Sequence, residues 1–193
     1  MKNQNIAILV VEFQKTWTQE SFFYSLIKKE LEGKKVLEHS IKILNIAREY
    51  KINIIQSPFI IDKSNTKSYK NIPLLPKLLG QFTANTWRSE YTDGIYQEGD
   101  YEVTGRTAFD NTVDSNLVEI LNKLNTKTVY LMGFTTDHCV AETMDSLIKL
   151  GYETILISDA TATIFHSSQL KIENKYNSIS SCNLIESITS RAN

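Results

Sequence analysis

Four polar groups of this chain stand just past short apolar runs, and their types are those of a nucleophilic site. Glu12 follows Ile6 to Val11, Ser57 follows Ile52 to Ile55, Arg106 follows Glu102 to Gly105, and Cys139 closes the segment GFTTDHC after Val129 to Met132. A thiolate is an effective nucleophile, a carboxylate can take its proton, and an arginine is a permanent cation that holds developing negative charge. Cys139 has the best independent case. Its segment passes from a strand into a helix, with Thr136 or Asp137 as candidate caps, so the thiol falls in the first helical turn. A helix N-terminus lowers a thiol pKa. The bland alternative is a small apolar filler, the common role of a cysteine, but the apolar stripe Val140, Met144, Leu147 and Ile148 begins only after Cys139. Cys182, in the polar stretch Ser180-Ser181-Cys182-Asn183, lacks that setting and reads as structural or incidental.

These groups need elements to bring them together, and the chain alternates between two periodicities. Ile6 to Val11 is an unbroken apolar run of the kind covered on both faces. Lys34 to Tyr50 has helical spacing through Val36, Leu37, Ile41, Leu44 and Ile46, and Ile52 to Ile55 is a second strand stopped at Ser57-Pro58. Pro58 to Asp100 is a long excursion with a short helix near Leu74 to Leu79 and turn signals at Asp93-Gly94 and Glu98-Gly99-Asp100. Regularity returns with a strand over Glu102 to Gly105, a helix over Thr112 to Leu124 and a strand over Val129 to Met132. A helix over Asp137 to Leu150, a strand over Thr154 to Ile157 ending at Ser158-Asp159, a helical segment over Ser167 to Glu173 and a tail strand and helix complete the pattern. Alternating β and α elements predict a mostly parallel sheet with helices on both faces. Ligands of such sheets bind beyond the carboxyl ends of the strands, the edge that collects Glu12, Ser57, Arg106 and the Gly133 to Cys139 segment.

Composition narrows the function. The chain has 193 residues, 41% hydrophobic and 22% charged, enough for one domain over 1–193 that buries roughly 70% of its unfolded surface. With 21 Lys+Arg against 22 Asp+Glu, no positive field gathers nucleic acid or anionic lipid, so neither is expected as a partner. The start, MKNQNIAILVVEFQ, has too few apolar residues for a spanning helix and no small-residue cleavage site. A cytoplasmic protein with free thiols is expected.

The stretches ILVVEFQ, GRTAFDNT and GFTTDHCVAETMDSLIKLGYETILISDATAT, in this order, resemble the three signature blocks of the isochorismatase-like cysteine hydrolases. QFTANTWRSEYTDGI is similar to the segment that precedes the family's basic catalytic residue. The resemblance spans nearly the whole chain. It implies a three-layer α/β/α fold of Rossmann type with a mostly parallel central sheet, and a homo-oligomer: a dimer, tetramer or larger ring. It also implies a catalytic triad of Glu12, Arg106 and Cys139, although the family carries Asp and Lys at the first two positions. Both replacements keep charge and lengthen the side chain, so an ion pair survives, bidentate if the pocket makes room. Arg106 cannot release a proton, which leaves proton transfer to Glu12. By the same resemblance the backbone N–H groups of Thr135 and Cys139 form the oxyanion site, beside a cis peptide at Phe134-Thr135.

The expectation is a metal-independent cysteine hydrolase of a small amide or related carbonyl compound, acting through a thioester at Cys139 and without a cofactor. Nicotinamidases of the family carry an Asp-x-His and a further His after the second strand, where this chain reads Ser57-Pro58-Phe59-Ile60-Ile61-Asp62. His39, His138 and His166 have no ligand spacing. His39 reads as a solvated surface residue. Aromatic residues are the candidates for walling the substrate: Trp87, Tyr91 and Phe109, with Phe13 and Trp17 just after Glu12. Ser57 and Thr136 are candidate hydrogen-bonding groups. Two rivals stand beside this reading: a vinyl ether hydrolase in which Glu12 is the proton donor and Cys139 is dispensable, and a degenerate member that binds a ligand or acts as a scaffold.

Overall fold

An unbroken apolar strand has to be covered on both faces, and here both faces are. The computed structural model describes residues 5–64, 72 and 74–190. Its strands are β1 (Ile6–Val11), β2 (Asn53–Ser57), β3 (Tyr101–Glu102), β4 (Thr128–Phe134), β5 (Glu153–Ala162) and β6 (Ser178–Ile179). The helices are α1 (Lys15–Thr18), α2 (Phe22–Gly33), α3 (Val36–Glu49), α4 (Leu74–Leu78), α5 (Leu117–Lys123), α6 (Ala141–Lys149), α7 (His166–Lys175) and α8 (Ser181–Ser190). All six strands are parallel, in the order β3-β2-β1-β4-β5-β6.

Every residue of β1 is buried. Ile6, Ile8 and Val10 pack into one core with Ile27 of α2, Ile43 and Leu44 of α3, and Leu184 and Ile188 of α8. Ala7, Leu9 and Val11 point the other way, into a core with Leu117 and Leu121 of α5, Met144 and Leu147 of α6, and Ile172 of α7. This is the three-layer α/β/α arrangement with a parallel central sheet that the alternation and the resemblance predict. No helix among the described residues is long and apolar enough to cross a membrane.

The differences from the sequence reading have local causes. Helix α2 had no predicted counterpart; Ser21 caps it by accepting the Tyr24 N–H at 3.1 Å, and Phe23, Ile27 and Leu31 recur on its buried face. The helix predicted from Thr112 begins only at Leu117, because the Asp110 carboxylate holds Thr112 in a turn and Asp114 takes a left-handed φ of 54°. The strand predicted over Glu102 to Gly105 is confined to Tyr101–Glu102, and Gly105 turns away at φ 85°, where a Cβ would meet the Asp114 carbonyl oxygen at 2.6 Å. Strand β5 runs on past Ser158-Asp159 to Ala162, carried by pairs of Thr161 with Gly133 and Ala162 with Phe134 after a register shift. Of the long excursion, 65–71 and 73 lie outside the described residues.

Candidate active site

The sheet order reverses direction between β1 and β4, and the carboxyl ends of strands at such a switch point are where ligands of parallel sheets bind. Register brings the candidates there: Val11 pairs with Ser57 on one side and Gly133 on the other, so Glu12 leaves the sheet between the ends of β2 and β4. Gly133, at φ 120°, permits this approach, since a Cβ at that position would overlap the Val11 carbonyl. Glu12 itself sits at φ 54°, an uncommon conformation for a residue with a Cβ. It is held by its N–H donating to the Ser57 carbonyl at 3.0 Å and its carbonyl accepting the Gln14 N–H at 2.6 Å. The buried Gln14 amide then fastens the turn to Phe59 and to the Ser89 carbonyl.

Glu12 and Arg106 form a buried ion pair, 2% and 1% exposed in their side chains, with Arg106 Nη2 2.5 Å from Glu12 Oε1. The pair is not bidentate. The Trp17 indole N–H donates to Glu12 Oε2 at 3.2 Å, and the rest of the guanidinium fork serves backbone carbonyls. Nε donates to Ala108 at 2.9 Å, Nη2 also to Phe109 at 2.8 Å, and Nη1 to Ser57 at 3.4 Å. The Phe59 ring lies 4.9 Å from the guanidinium carbon. Arginine's planar set of donors suits this role, which a lysine's three donors would fill less completely.

Cys139 is buried and free, and it lies in a π-helical turn, Thr136–Val140, that leads into α6. The predicted caps do not form: the Thr136 hydroxyl donates to Gln169 Oε1 at 2.7 Å, and Asp137 accepts from Thr163. Nor is the thiol pKa depressed. Burial raises it well above the ordinary value, and the charge of Glu12 pushes the same way. The Arg106 charge and the Thr135 backbone N–H pull it down without reversing the shift. Cys139 is thus held as a neutral thiol beside a carboxylate. The Phe134-Thr135 peptide is cis, as the resemblance implies.

The candidate wall residues divide. Phe13 is 1% exposed and its ring packs 4.5 Å from that of Phe134, so it belongs to the core. Trp17 is buried, stacks on Phe23 at 4.8 Å and donates its indole N–H to Glu12. Ser57 and Thr136 are fully buried with their hydroxyls committed to Asn111 and Gln169. Phe109 is half-buried, 6.0 Å from the exposed His138 ring, and the exposed Trp87 ring is covered by Arg88 at 5.1 Å. His39 is not scenery: its Nδ1 lies 2.9 Å from Ser181 Oγ. Sequence reasoning missed Asn111, Thr143 and Phe59 as parts of the site's support. Asn111 stands in the GRTAFDNT block and Thr143 one helical turn after Cys139, but a buried amide or hydroxyl announces itself only through its partners. Among the described residues no group of three or more His, Cys, Asp or Glu side chains could hold a metal ion.

A parallel α/β domain with acid, arginine and thiol at its switch point defines a class of hydrolase-like folds, and sequence comparison makes the class specific. The Isochorismatase domain model matches residues 6–177, so the chain belongs to the isochorismatase family, whose members are hydrolases. Ureidoacrylate amidohydrolase RutB of Agrobacterium fabrum is 23% identical over 177 residues, covering 83% of this chain and 77% of that protein. An isochorismatase family protein of Bacillus subtilis, YrdC, is 42% identical over 57 residues, 30% of either chain. A cysteine hydrolase from Pseudomonas syringae pv. phaseolicola superposes with a TM-score of 0.81 at 16% identity, over 98% of this chain and 95% of that one. N-carbamoylsarcosine amidase from Thermoplasma acidophilum does so at 0.73 and 19%, over 92% and 96%.

Proposed function

We propose that this family member hydrolyses the C–N bond of a small amide through a thioester at Cys139. The observation that carries the reading is the buried Cys139 thiol on the turn after β4, beside the buried ion pair of Glu12 and Arg106, where burial and the neighbouring carboxylate raise its pKa. In the proposed cycle Glu12 takes the thiol proton as Sγ attacks the amide carbon, and Arg106 stabilises negative charge as it develops. The Thr135 and Cys139 N–H groups receive the oxyanion. Glu12 then gives its proton to the leaving nitrogen, the C–N bond breaks, and an amine and a thioester remain. Water, deprotonated by Glu12, attacks the thioester and releases the acid and the thiol. A neutral resting thiol suits this cycle, because acid and nucleophile share one proton and no free thiolate is exposed to side reactions.

Amides of the ureido and carbamoyl type are the first to assay, since two relatives are a ureidoacrylate amidohydrolase and an N-carbamoylsarcosine amidase. Ammonia release from ureidoacrylate and N-carbamoylsarcosine, with intact-mass detection of an acyl adduct on Cys139, tests the reading. Turnover that survives Cys139→Ala would instead favour the Cys-independent reading with Glu12 as proton donor.

A further inference from the structure

Asn111 is fully buried in the loop between Arg106 and α5, and its amide joins the end of β2, the Phe109 loop and the start of α6. Its Oδ1 accepts the Ser57 hydroxyl, while Nδ2 donates to Thr143 Oγ1 at 2.7 Å and to the Phe109 carbonyl at 3.1 Å. The Asn111 backbone N–H donates to the same Thr143 oxygen at 2.9 Å. Thr143, on α6, passes its own hydroxyl hydrogen to the Cys139 carbonyl at 2.6 Å. The far ends of this network are the groups that hold the ion pair. The Ser57 carbonyl accepts from Glu12 N–H and Arg106 Nη1, and the Phe109 carbonyl from Arg106 Nη2.

The network is complete. A threonine hydroxyl has one hydrogen and two lone pairs, and Thr143 uses all three; the Asn111 amide spends both hydrogens and its oxygen. Buried networks satisfied in this way fix one arrangement, because any displacement leaves a donor without an acceptor away from water. The atoms so fixed are the Cys139 carbonyl, the end of β2 at Ser57 and the loop at Phe109, and the Ser57 and Phe109 carbonyls in turn accept from Glu12 N–H and the Arg106 guanidinium.

We propose that Asn111 and Thr143 are positioning residues that lock the nucleophile's turn to the ends of β1 and β2 and thereby set the separation of Cys139 Sγ from the Glu12 carboxylate. The proposal rests on the reading of Cys139 as the nucleophile. Thr143→Val keeps the side-chain shape and removes the hydroxyl, and Thr143→Ser keeps the hydroxyl.

Both are compared in a Cys182→Ser background, since Cys182 is exposed and would also be alkylated. Iodoacetamide alkylation of Cys139 is followed against pH by intact mass, alongside melting curves and ammonia release from ureidoacrylate. Folded Thr143→Val is expected to alkylate with a lower pH midpoint than the parent, because the sulfur drifts from the carboxylate that raises its pKa, with Arg106 still present. Its kcat is expected to fall on the order of 100-fold at nearly constant KM, the size of an ångström's misplacement. Thr143→Ser restores both.

Parental midpoint and kcat in folded Thr143→Val would overturn the proposal, as would a Thr143→Ser variant as impaired as Thr143→Val. Should Thr143→Val not fold, Asn111→Ser opens the same network from its other end and is judged by the same two readouts. Alkylation needs no turnover. If Cys139→Ala proves active the thioester reading falls, and the alkylation midpoint still decides whether the network sets the environment of the sulfur.

Discussion

Two clusters in this protein each bring a hydroxyl or thiol together with an acid and a basic side chain, and they do so differently. At the strand ends, Cys139 lies beside Glu12 and Arg106 in near-complete burial. Between α3, β5 and α8, Ser181 Oγ donates to Asp159 Oδ2 at 2.6 Å and lies 2.9 Å from His39 Nδ1. The second cluster has the residue types of a serine triad, yet the serine proton already points to the carboxylate, and His39 and Asp159 are 3.9 Å apart. Asp159 Oδ1 is also spent on the Ser181 N–H at 2.7 Å, which caps the first turn of α8. Residue types do not make a site; what counts is where the proton points and which strand edge carries the groups.

That contrast can be broken by substitution, and the largest effect is expected at the thiol and the hydroxyl. Cys139→Ala is expected to lower ammonia release by about 10⁴-fold or more, while Ser181→Ala leaves turnover unchanged, both read by steady-state kinetics. Equal losses would erase the distinction between the two clusters. Next come the cations. Arg106→Met strands a buried carboxylate and is expected to cost about 3–5 kcal/mol in urea unfolding. His39→Ala removes one part-exposed contact and is expected to cost about 1 kcal/mol or less. Adding Glu12→Gln to Arg106→Met should recover part of the loss, since the orphaned charge is then gone.

A third test sharpens the comparison through pH. Cys139 should alkylate with a midpoint well above the ordinary thiol value of about 8.5, and Glu12→Gln should bring it down by removing the negative charge beside it. The sign for stability follows. The folded protein holds this proton more tightly than the unfolded chain, so the contribution is complete below the unfolded pKa and is lost as pH rises through the folded one. Cys139→Ser should therefore lose less stability than the parent between neutral and strongly alkaline pH. The smallest effect is expected at the far cluster, where Asp159→Asn weakens the cap of α8 by about 1 kcal/mol in the same unfolding assay.

Much of this molecule is legible along the chain because burial leaves a local period. The apolar runs of β1 and β4, the helical spacing of α3 and α6, and the alternation that fixes a parallel sheet each depend on neighbours within a few residues. The strand-end rule then collects Glu12, Ser57, Arg106 and the Gly133 to Cys139 segment without any knowledge of contacts, and the family resemblance singles out Glu12, Arg106 and Cys139 among them. What the tertiary structure alone decided is what those groups do to one another. Glu12 and Arg106 are 94 residues apart in sequence, and no pattern records that the second carboxylate oxygen goes to Trp17 or that the guanidinium is spread over Ser57, Ala108 and Phe109. The helix-end argument lowered the thiol pKa, while burial and an adjacent carboxylate, both consequences of long-range packing, raised it. Periodicity is written in the chain. Desolvation and hydrogen-bond partnership come into being only when distant segments close around the same few atoms.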